Sequence, residues 1–511
     1  MRLTSRGGSS PLVRTTNFNY IMNKNVFIIG SGFSSLSASC YLAKQGYNVT
    51  VVEKNSTLGG RARQFKKEGF TFDMGPSWYW MPDVFERFFN DFDKKRSDFY
   101  DLSKLDPAYK VFFGKNDSIS IEDSLDKIKK VFEKEENGSS IELEKFIIEA
   151  KDNYDIAVKD MLYKMPGITP LELITKKTVF KVKSFISNIR REVRQGFKSH
   201  RLRAILEFPV LFLGAKASNT PAFYSFMNYA DFGLGTWQPK NGFYDVVQSM
   251  LDLGKSLGVQ YKTECNVESI LIENKKVKGL IINKEQHSCD IIISGADYAH
   301  TESLLDKRYR QYSKKYWSKK TWAPSSLLFY VGFDKKITDV AHHNLFFDTD
   351  FDEHSADIYD EPKWPENPLF YANFTSKTNF ETAPDGCENG FFLIPLATDL
   401  EDNQEFRDKY FNIIIERLEK LTNQKLKNNI IFKESFCVKD FIKDYNSYGG
   451  NAYGLANTIM QTAFLRPNLR SNKVKNLYFS GQLTVPGPGV PPAIVSGKLV
   501  SDLIIKDEKI I

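Results

Sequence analysis

The sequence predicts an α/β fold: a Rossmann-type dinucleotide-binding domain assembled from discontinuous segments, with a mixed α+β domain and a helical region between them. Three observations predict it. A strand, a Gly-rich turn, a helix and a second strand ending in a carboxylate occupy residues 23–53. A buried apolar strand ending in glycine, Asp290-Ile-Ile-Ile-Ser-Gly295-Ala296, follows much later. A strand–glycine–helix unit at 476–504 closes the chain. Strands alternating with helices build a parallel sheet covered on both faces.

In the first unit, Val26-Phe-Ile-Ile-Gly30-Ser-Gly32-Phe-Ser-Ser35 leads through a helix to Val49-Thr-Val-Val-Glu53. Gly30 allows the tight turn, and Gly32 lets the backbone approach a pyrophosphate at the helix N-terminus. Ser35 stands where the third glycine of this fingerprint is usual and is small enough to let helix pack on strand. Glu53 has the spacing of a ribose acceptor. The next segment, Lys54-Asn-Ser-Thr-Leu-Gly59-Gly60-Arg61-Ala-Arg63, adds paired glycines for close backbone approach. Its arginines can pair with a diphosphate in bidentate fashion. Phe72-Asp73-Met-Gly75-Pro76 reads as a second tight turn against the same pocket. This run of motifs resembles the flavoprotein family of amine oxidases, protoporphyrinogen oxidases and carotenoid desaturases. The resemblance implies FAD, with Gly30, Gly32, Ser35, Glu53, Lys54, Gly59, Gly60, Arg61, Gly75 and Pro76 in its site.

Helical periodicity dominates from Ser124 to His200. Between Lys176 and Arg203 there are many basic residues and one acid, Glu192, with Val182, Phe185, Ile186, Ile189, Val193 and Phe197 at helical spacing. Such a basic amphipathic helix can lie on an anionic membrane, although a core-facing helix with a solvated basic face reads equally well. The apolar run Ala204–Ala215 is too short to span a bilayer and is interrupted by Glu207 and Pro209. A helix from Asp245 to Leu257 follows, then strands at Val259 and Val267 and a hairpin at Asn274-Lys-Lys. The Val267 strand is expected on the adenine side of the pocket. From Thr301 to Asn468 strands such as Ser326–Phe333 mix with helices such as Glu405–Leu421.

The C-terminal unit ends its strand in Ser480-Gly481-Gln482 and continues as Pro486-Gly487-Pro-Gly489-Val490-Pro491-Pro-Ala493 before a helix. Its helix N-terminus can complete a flavin pocket. The Pro-Gly-Pro-Gly-Val-Pro run and Gly235-x-Trp237-x-Pro239-x-x-Gly242 resemble the bacterial-type phytoene desaturases, the carotenoid branch of the superfamily. The resemblance adds Val267, Gly481, Gln482, Gly489, Val490 and Pro491 to the implied FAD site. Gln482 departs from the acidic residue of amine oxidases, and Gln238 and Asn241 depart from the branch motif. It also implies an FAD-binding domain in three parts, 23–115, 235–300 and 471–511. A helical, membrane-facing substrate region spans 116–234 and a substrate domain 301–470.

The implied activity is desaturation of a long apolar polyene, phytoene becoming more conjugated carotenes of the neurosporene or lycopene type, with oxygen or a quinone as electron acceptor. A substrate of this kind dissolves in membrane, so a peripheral membrane protein with an apolar tunnel is expected, without nucleic-acid partners. Aromatic residues at 14%, 41 of them Phe, could line it, although most belong in ordinary core. Hydroxylated or thirty-carbon precursors remain open as substrates. So do a flavin amine or porphyrinogen oxidase and a flavin-free module resembling prenyl-protein escorts. No catalytic residue can be singled out; Tyr229 and Asp231 lie near the substrate-side motif. Five scattered cysteines fit a reducing, cytoplasmic compartment, and six histidines show no ligand spacing, so no metal is expected. Residues 1–22, with Arg2, Arg6 and Arg14 and no acid, are expected to be disordered, as a transit peptide or as sequence upstream of a start at Met22.

Overall fold

The computed structural model describes residues 24–169, 172, 175, 178 and 181–510; the N-terminal extension lies outside the described residues. A five-stranded sheet brings the three separated segments together. Its order is Leu477–Phe479, Ile291–Ser294, Asn25–Ile29, Asn48–Val52, Gln260–Lys262, every neighbour parallel. Ile293 therefore sits between Ile28 and Tyr478. Strands covered on both faces need apolar residues at successive positions, as Ile28, Ile29, Ile291, Ile292 and Ile293 supply.

Two helices hold this arrangement. Phe33–Lys44 follows the first strand, and Val490–Ile510 packs along it. Contact is at backbone distance: a Cβ on Gly497 would fall 2.4 Å from the carbonyl oxygen of Ser34. Ser37 Oγ donates to the carbonyl of Ile494 at 2.7 Å, tying the two helices by a bond that needs the same closeness. The second helix starts at Val490, four residues before the Ile494 start expected from the sequence. Pro491 and Pro492 fall in its first turn, where a missing N–H leaves no bond unmade.

A seven-stranded sheet forms the other half, in the order Ile430–Phe436, Ser325–Phe333, Glu388–Leu396, Phe370–Asn373, His343–Phe346, Tyr109–Gly114, Asp117–Ile121. All pairs are antiparallel except His343–Phe346 with Tyr109–Gly114. The boundary expected at 115 thus falls within a hairpin of this sheet. Alternation along Ser325–Phe333 sends Leu327, Phe329 and Val331 toward the helix Gln404–Thr422, whose Ile414 and Leu418 share their core. Leu328 and Tyr330 point to the opposite core.

Two sequence motifs meet at the join. Gly242 has φ +97°, and a Cβ there would lie 2.5 Å from Asp73 Oδ2. That carboxylate accepts the N–H groups of Phe243 and Tyr244, capping the helix Tyr244–Ser256, and burial raises its pKa to about 6.

The basic stretch is two short helices, Val182–Ile186 and Ile189–Gly196, not one amphipathic rod. Asn188 is extended and its side chain accepts from the N–H of Arg191, so it ends one helix and caps the next. Ile189, Val193 and Phe197 are buried core. Arg190 and Arg194 turn to Glu207 and Asp352.

The helix contact makes a direct prediction. Gly497→Val should lower unfolding free energy by at least about 2 kcal/mol, because the branched side chain meets backbone that cannot rearrange locally. An unchanged denaturant midpoint would show that the two helices do not dock this closely.

Candidate functional site

The glycine turn is built from geometry that a side chain would disturb. Gly30 takes φ +87°, and the next helix begins at Gly32 with φ −70°, ψ 171°. A Cβ on Gly32 would meet nothing within 4 Å, so this residue faces open space at a helix N-terminus. Gly75 fits for the opposite reason: a Cβ there would lie 2.5 Å from the carbonyl oxygen of Arg61. The two glycine-dense loops can approach only because both lack side chains at the contact.

Glu53 is fixed by four hydrogen bonds. Its Oε2 accepts from Ser31 N–H at 3.0 Å and Ser31 Oγ at 2.7 Å, while Oε1 accepts from the backbone and side-chain nitrogens of Asn55 at 3.0 Å. The carboxylate is thereby held at the end of its strand, facing the same opening as Gly32.

A cavity of about 620 Å³ runs from this turn into the seven-stranded half. Every sequence-predicted site residue lies in its wall except Ser35. Ser35 is fully buried behind the wall, and a Cβ on Gly295 would lie 2.1 Å from its hydroxyl, so it packs helix against strand. Val267 and Lys54 line one end, and Gly481, Gln482, Gly489, Val490 and Pro491 come from the C-terminal segment.

The sequence gave no signal for a third wall, the segment 441–451. Lys54 Nζ donates to the carbonyl of Lys443 and to Asn446 Oδ1. Arg63 pairs with Asp444 at 2.6 Å. Arg61 donates to Ser447 Oγ at 2.6 Å and to the carbonyl of Asn451, with Tyr445 at 4.9 Å from its guanidinium. Its Nε is buried without a partner among the described residues, and burial lowers its pKa. The carboxamide of Gln482 comes within hydrogen-bonding reach of Asn451, Gly454 and Arg61. His300, in the same wall, is held near pKa 4 by burial and by neighbouring Lys54, hence neutral at pH 7.

Beyond the loops the wall turns apolar. Met161, Leu162, Met165, Phe185, Phe208 and Leu211 form one arm, so part of the Ala204–Ala215 run lines the cavity. Leu328, Tyr371, Phe391 and Leu393 form the sheet side. Neither Tyr229 nor Asp231 reaches the cavity: Tyr229 packs on Tyr154, and Asp231 is buried with Tyr109 OH at 2.8 Å. Burial raises Asp231 to about pKa 7, and its bonds to Tyr109 and Thr236 make it a support for the wall. Thr236 in turn accepts from the Trp80 indole N–H, and Trp80 does line the cavity.

These residues fit a flavin dinucleotide. An open cradle at Gly32, an unpartnered guanidinium N–H on Arg61 and a fixed carboxylate at Glu53 are the donor and acceptor set that pyrophosphate and ribose require.

Comparison with known proteins agrees. Residues 33–505 match the family described as flavin containing amine oxidoreductase. A carotenoid 3,4-desaturase from Haloarcula japonica is 39% identical over 495 residues, 95% of this chain and 99% of that protein. A zeta-carotene-forming phytoene desaturase from Myxococcus xanthus is 28% identical, covering 94% of each chain. A 4,4'-diapophytoene desaturase from Staphylococcus haemolyticus is 29% identical over 94% of this chain and 99% of that protein. Among solved structures, an oxidoreductase from Methanosarcina mazei superposes with TM-score 0.62 at 15% identity, covering 94% of this chain and 100% of that one. Cyclohexylamine oxidase from Brevibacterium oxydans gives 0.57 at 12%, covering 95% and 99%. The chain belongs to the flavin-containing amine oxidoreductase family, and its cofactor is FAD.

Gly32→Val separates folding from binding. Its backbone angles suit any residue and its Cβ points into open space, so the variant should unfold at the wild-type temperature while losing the yellow flavin absorbance. Retained absorbance would remove Gly32 from the binding surface.

Proposed function

We propose that this flavoprotein desaturates a long apolar polyene held in the cavity, with phytoene as the first candidate substrate. The observation that carries the reading is one continuous cavity joining the glycine-built nucleotide cleft to an arm walled by Met, Leu and Phe. FAD supplies the oxidising power, accepting the hydride equivalent removed from the substrate. The chain's own residues orient and dry the reacting carbons. Trp78, Trp80 and Phe208 pack edge-on around one side of the cavity and leave little polar surface to hold water. An amine substrate would need a polar cage that this arm does not supply.

A second reading keeps the chemistry and moves the bond. The Haloarcula relative is named for desaturation at the 3,4 position and shares 39% of its aligned residues with this chain. On that reading the substrate arrives already conjugated. Expression in a phytoene-accumulating bacterium should turn colourless extract yellow or red, and expression in a lycopene-accumulating strain should shift its absorbance to longer wavelength under the second reading. Unchanged pigment in both strains, with flavin bound, would sink the polyene assignment.

Such a substrate reaches the cavity from a bilayer. We place the membrane contact on Ile168, Ile186 and Met460, exposed by 53%, 76% and 71%. Each lies within three residues of the cavity wall, at Met165, Phe185 and Thr462. Arg190 and Arg194 contribute less to this contact, because Glu207 and Asp352 already neutralise them. No helix among the described residues is long and apolar enough to cross a membrane. Replacing Ile186 and Met460 by Asp should weaken co-sedimentation with phosphatidylglycerol vesicles by about tenfold. Wild-type binding by this variant would move the contact elsewhere. Electrons leave to oxygen or a quinone.

A further inference from the structure

Desaturation removes two hydrogens from neighbouring carbons. One departs with its electron pair and the other as a proton, so a group in the cavity wall must accept the proton. The acidic side chains in the wall, Glu53, Asp297 and Asp444, lie at the nucleotide end and are engaged there. In the apolar arm, His354 is used up: its Nδ1 accepts the N–H of Leu369 at 2.9 Å and its Nε2 lies 3.0 Å from the carbonyl of Pro395.

One connected set remains. Tyr371 OH lies 2.6 Å from His343 Nδ1 and 2.9 Å from Ser77 Oγ, and both Ser77 and Tyr371 line the cavity. His343 is fully buried, with its ring stacked on Trp78 at 4.2 Å and 10°. The neighbouring bonds settle which way the protons point. Asn373 Nδ2 donates to the carbonyl of His342 and also lies 3.2 Å from His343 Nδ1, so that nitrogen is an acceptor. The imidazole therefore carries its hydrogen on Nε2, which has no partner among the described residues. Tyr371 must then donate to Nδ1, and Ser77 must donate to Tyr371. All three protons point away from the cavity and toward the imidazole, leaving a Tyr371 lone pair toward the substrate.

We propose that Tyr371 is the proton acceptor of the desaturation, acting through His343 and held in place by Ser77. This rests on the polyene reading above. The hydride of one carbon goes to the flavin dinucleotide. At the neighbouring carbon the C–H bond breaks, its electron pair becomes the new C=C bond, and the proton moves to the Tyr371 oxygen. The original Tyr371 proton passes to His343 Nδ1, giving an imidazolium stacked on Trp78, and Asn373 keeps its bond to His342. The proton returns through Tyr371 to water that enters as product leaves. A weak base suffices, since a carbon next to one losing hydride is a strong acid.

The base must also be uncharged beforehand. Burial and the adjacent His342 hold His343 well below its usual pKa, and burial holds His342 near 3. The titratable groups around His343 are His342 along its strand, Tyr371 across the sheet, and the Tyr109–Asp231 pair behind Trp78.

The test uses the flavin-loaded full chain with phytoene or lycopene in phosphatidylcholine vesicles. Tyr371→Phe and His343→Gln should each slow turnover roughly ten- to a hundredfold with KM within about twofold, the low end for positioned proton transfer. The double variant should be no slower than the worse single one, because the two act as a unit. Deuterium at the proton-losing carbon should slow Tyr371→Phe more than wild type. Additive losses, losses confined to KM, or an unchanged isotope effect would overturn the relay. Independently of any substrate, ¹⁵N-histidine spectra assigned with His343→Gln should show Nδ1 of His343 unprotonated at pH 7; a protonated Nδ1 refutes the proposal. If wild type converts neither polyene while Nδ1 is unprotonated, the substrate reading fails and the hydrogen-bond chain stands.

Discussion

Everything in this fold depends on backbone meeting backbone where the chain's distant ends converge. Gly497 lets the last helix lie against the carbonyl of Ser34, and Gly75 lets the second loop touch the carbonyl of Arg61. Side chains at either contact would push apart segments that supply opposite walls of one cavity. Hydrophobic burial drives the collapse of the parallel sheet, yet it is non-directional and would tolerate a looser arrangement. Hydrogen bonds such as Ser37 Oγ to the Ile494 carbonyl and Gly481 N–H to Ser496 Oγ form only at the close distance. They select one packing from many apolar ones.

That dependence explains what the sequence disclosed. Glycines held by a close contact or a positive φ leave a trace, since no other residue fits, and the turns at Gly30, Gly59 and Gly75 were legible for that reason. Buried parallel strands leave apolar runs. The segment 441–451 leaves neither mark. Its Lys443 and Asn451 use backbone carbonyls, and Asp444 and Asn446 are ordinary polar residues whose partners Lys54 and Arg63 lie almost four hundred positions away. The basic stretch misled for a related reason. Its periodicity is real, but Asn188 caps a new helix through a side-chain bond that a spacing argument does not weigh, and the acids that neutralise its arginines come from remote segments. Fold class follows from local pattern; the closing of a site follows from tertiary pairing.

The cavity also divides its chemistry by polarity. At the nucleotide end, charged groups are numerous and almost all have fixed partners, which suits a ligand bearing phosphates and a ribose. Toward the seven-stranded sheet the ionisable groups are kept neutral by burial, as with His342, His343 and His354. An unpaired charge in this arm would order water beside the reacting carbons, and a hydrocarbon would have to displace that water to enter. Neutral polar groups joined to one another, such as Ser77 with Tyr371, satisfy their hydrogen bonds without recruiting solvent.

Relatives with this architecture are named for different positions and substrates, although the nucleotide motifs vary little in kind. The physical source of that variety is the apolar arm. A flavin at a fixed cleft oxidises whichever carbon pair stands before it, so the depth to which the polyene slides sets the product. Depth is decided by side-chain volume along the arm, where Met161, Met165 and Met227 supply flexible, unbranched fillers. Such residues adapt to a straight polyene more readily than Val or Ile would, and they impose no single stop. The closed end is firmer: the ring of Trp78, stacked on His343 and packed against Tyr109, cannot swing aside without breaking both contacts. A soft entrance and a rigid terminus measure the substrate from one end, and residues around Trp78 therefore decide which bond is made.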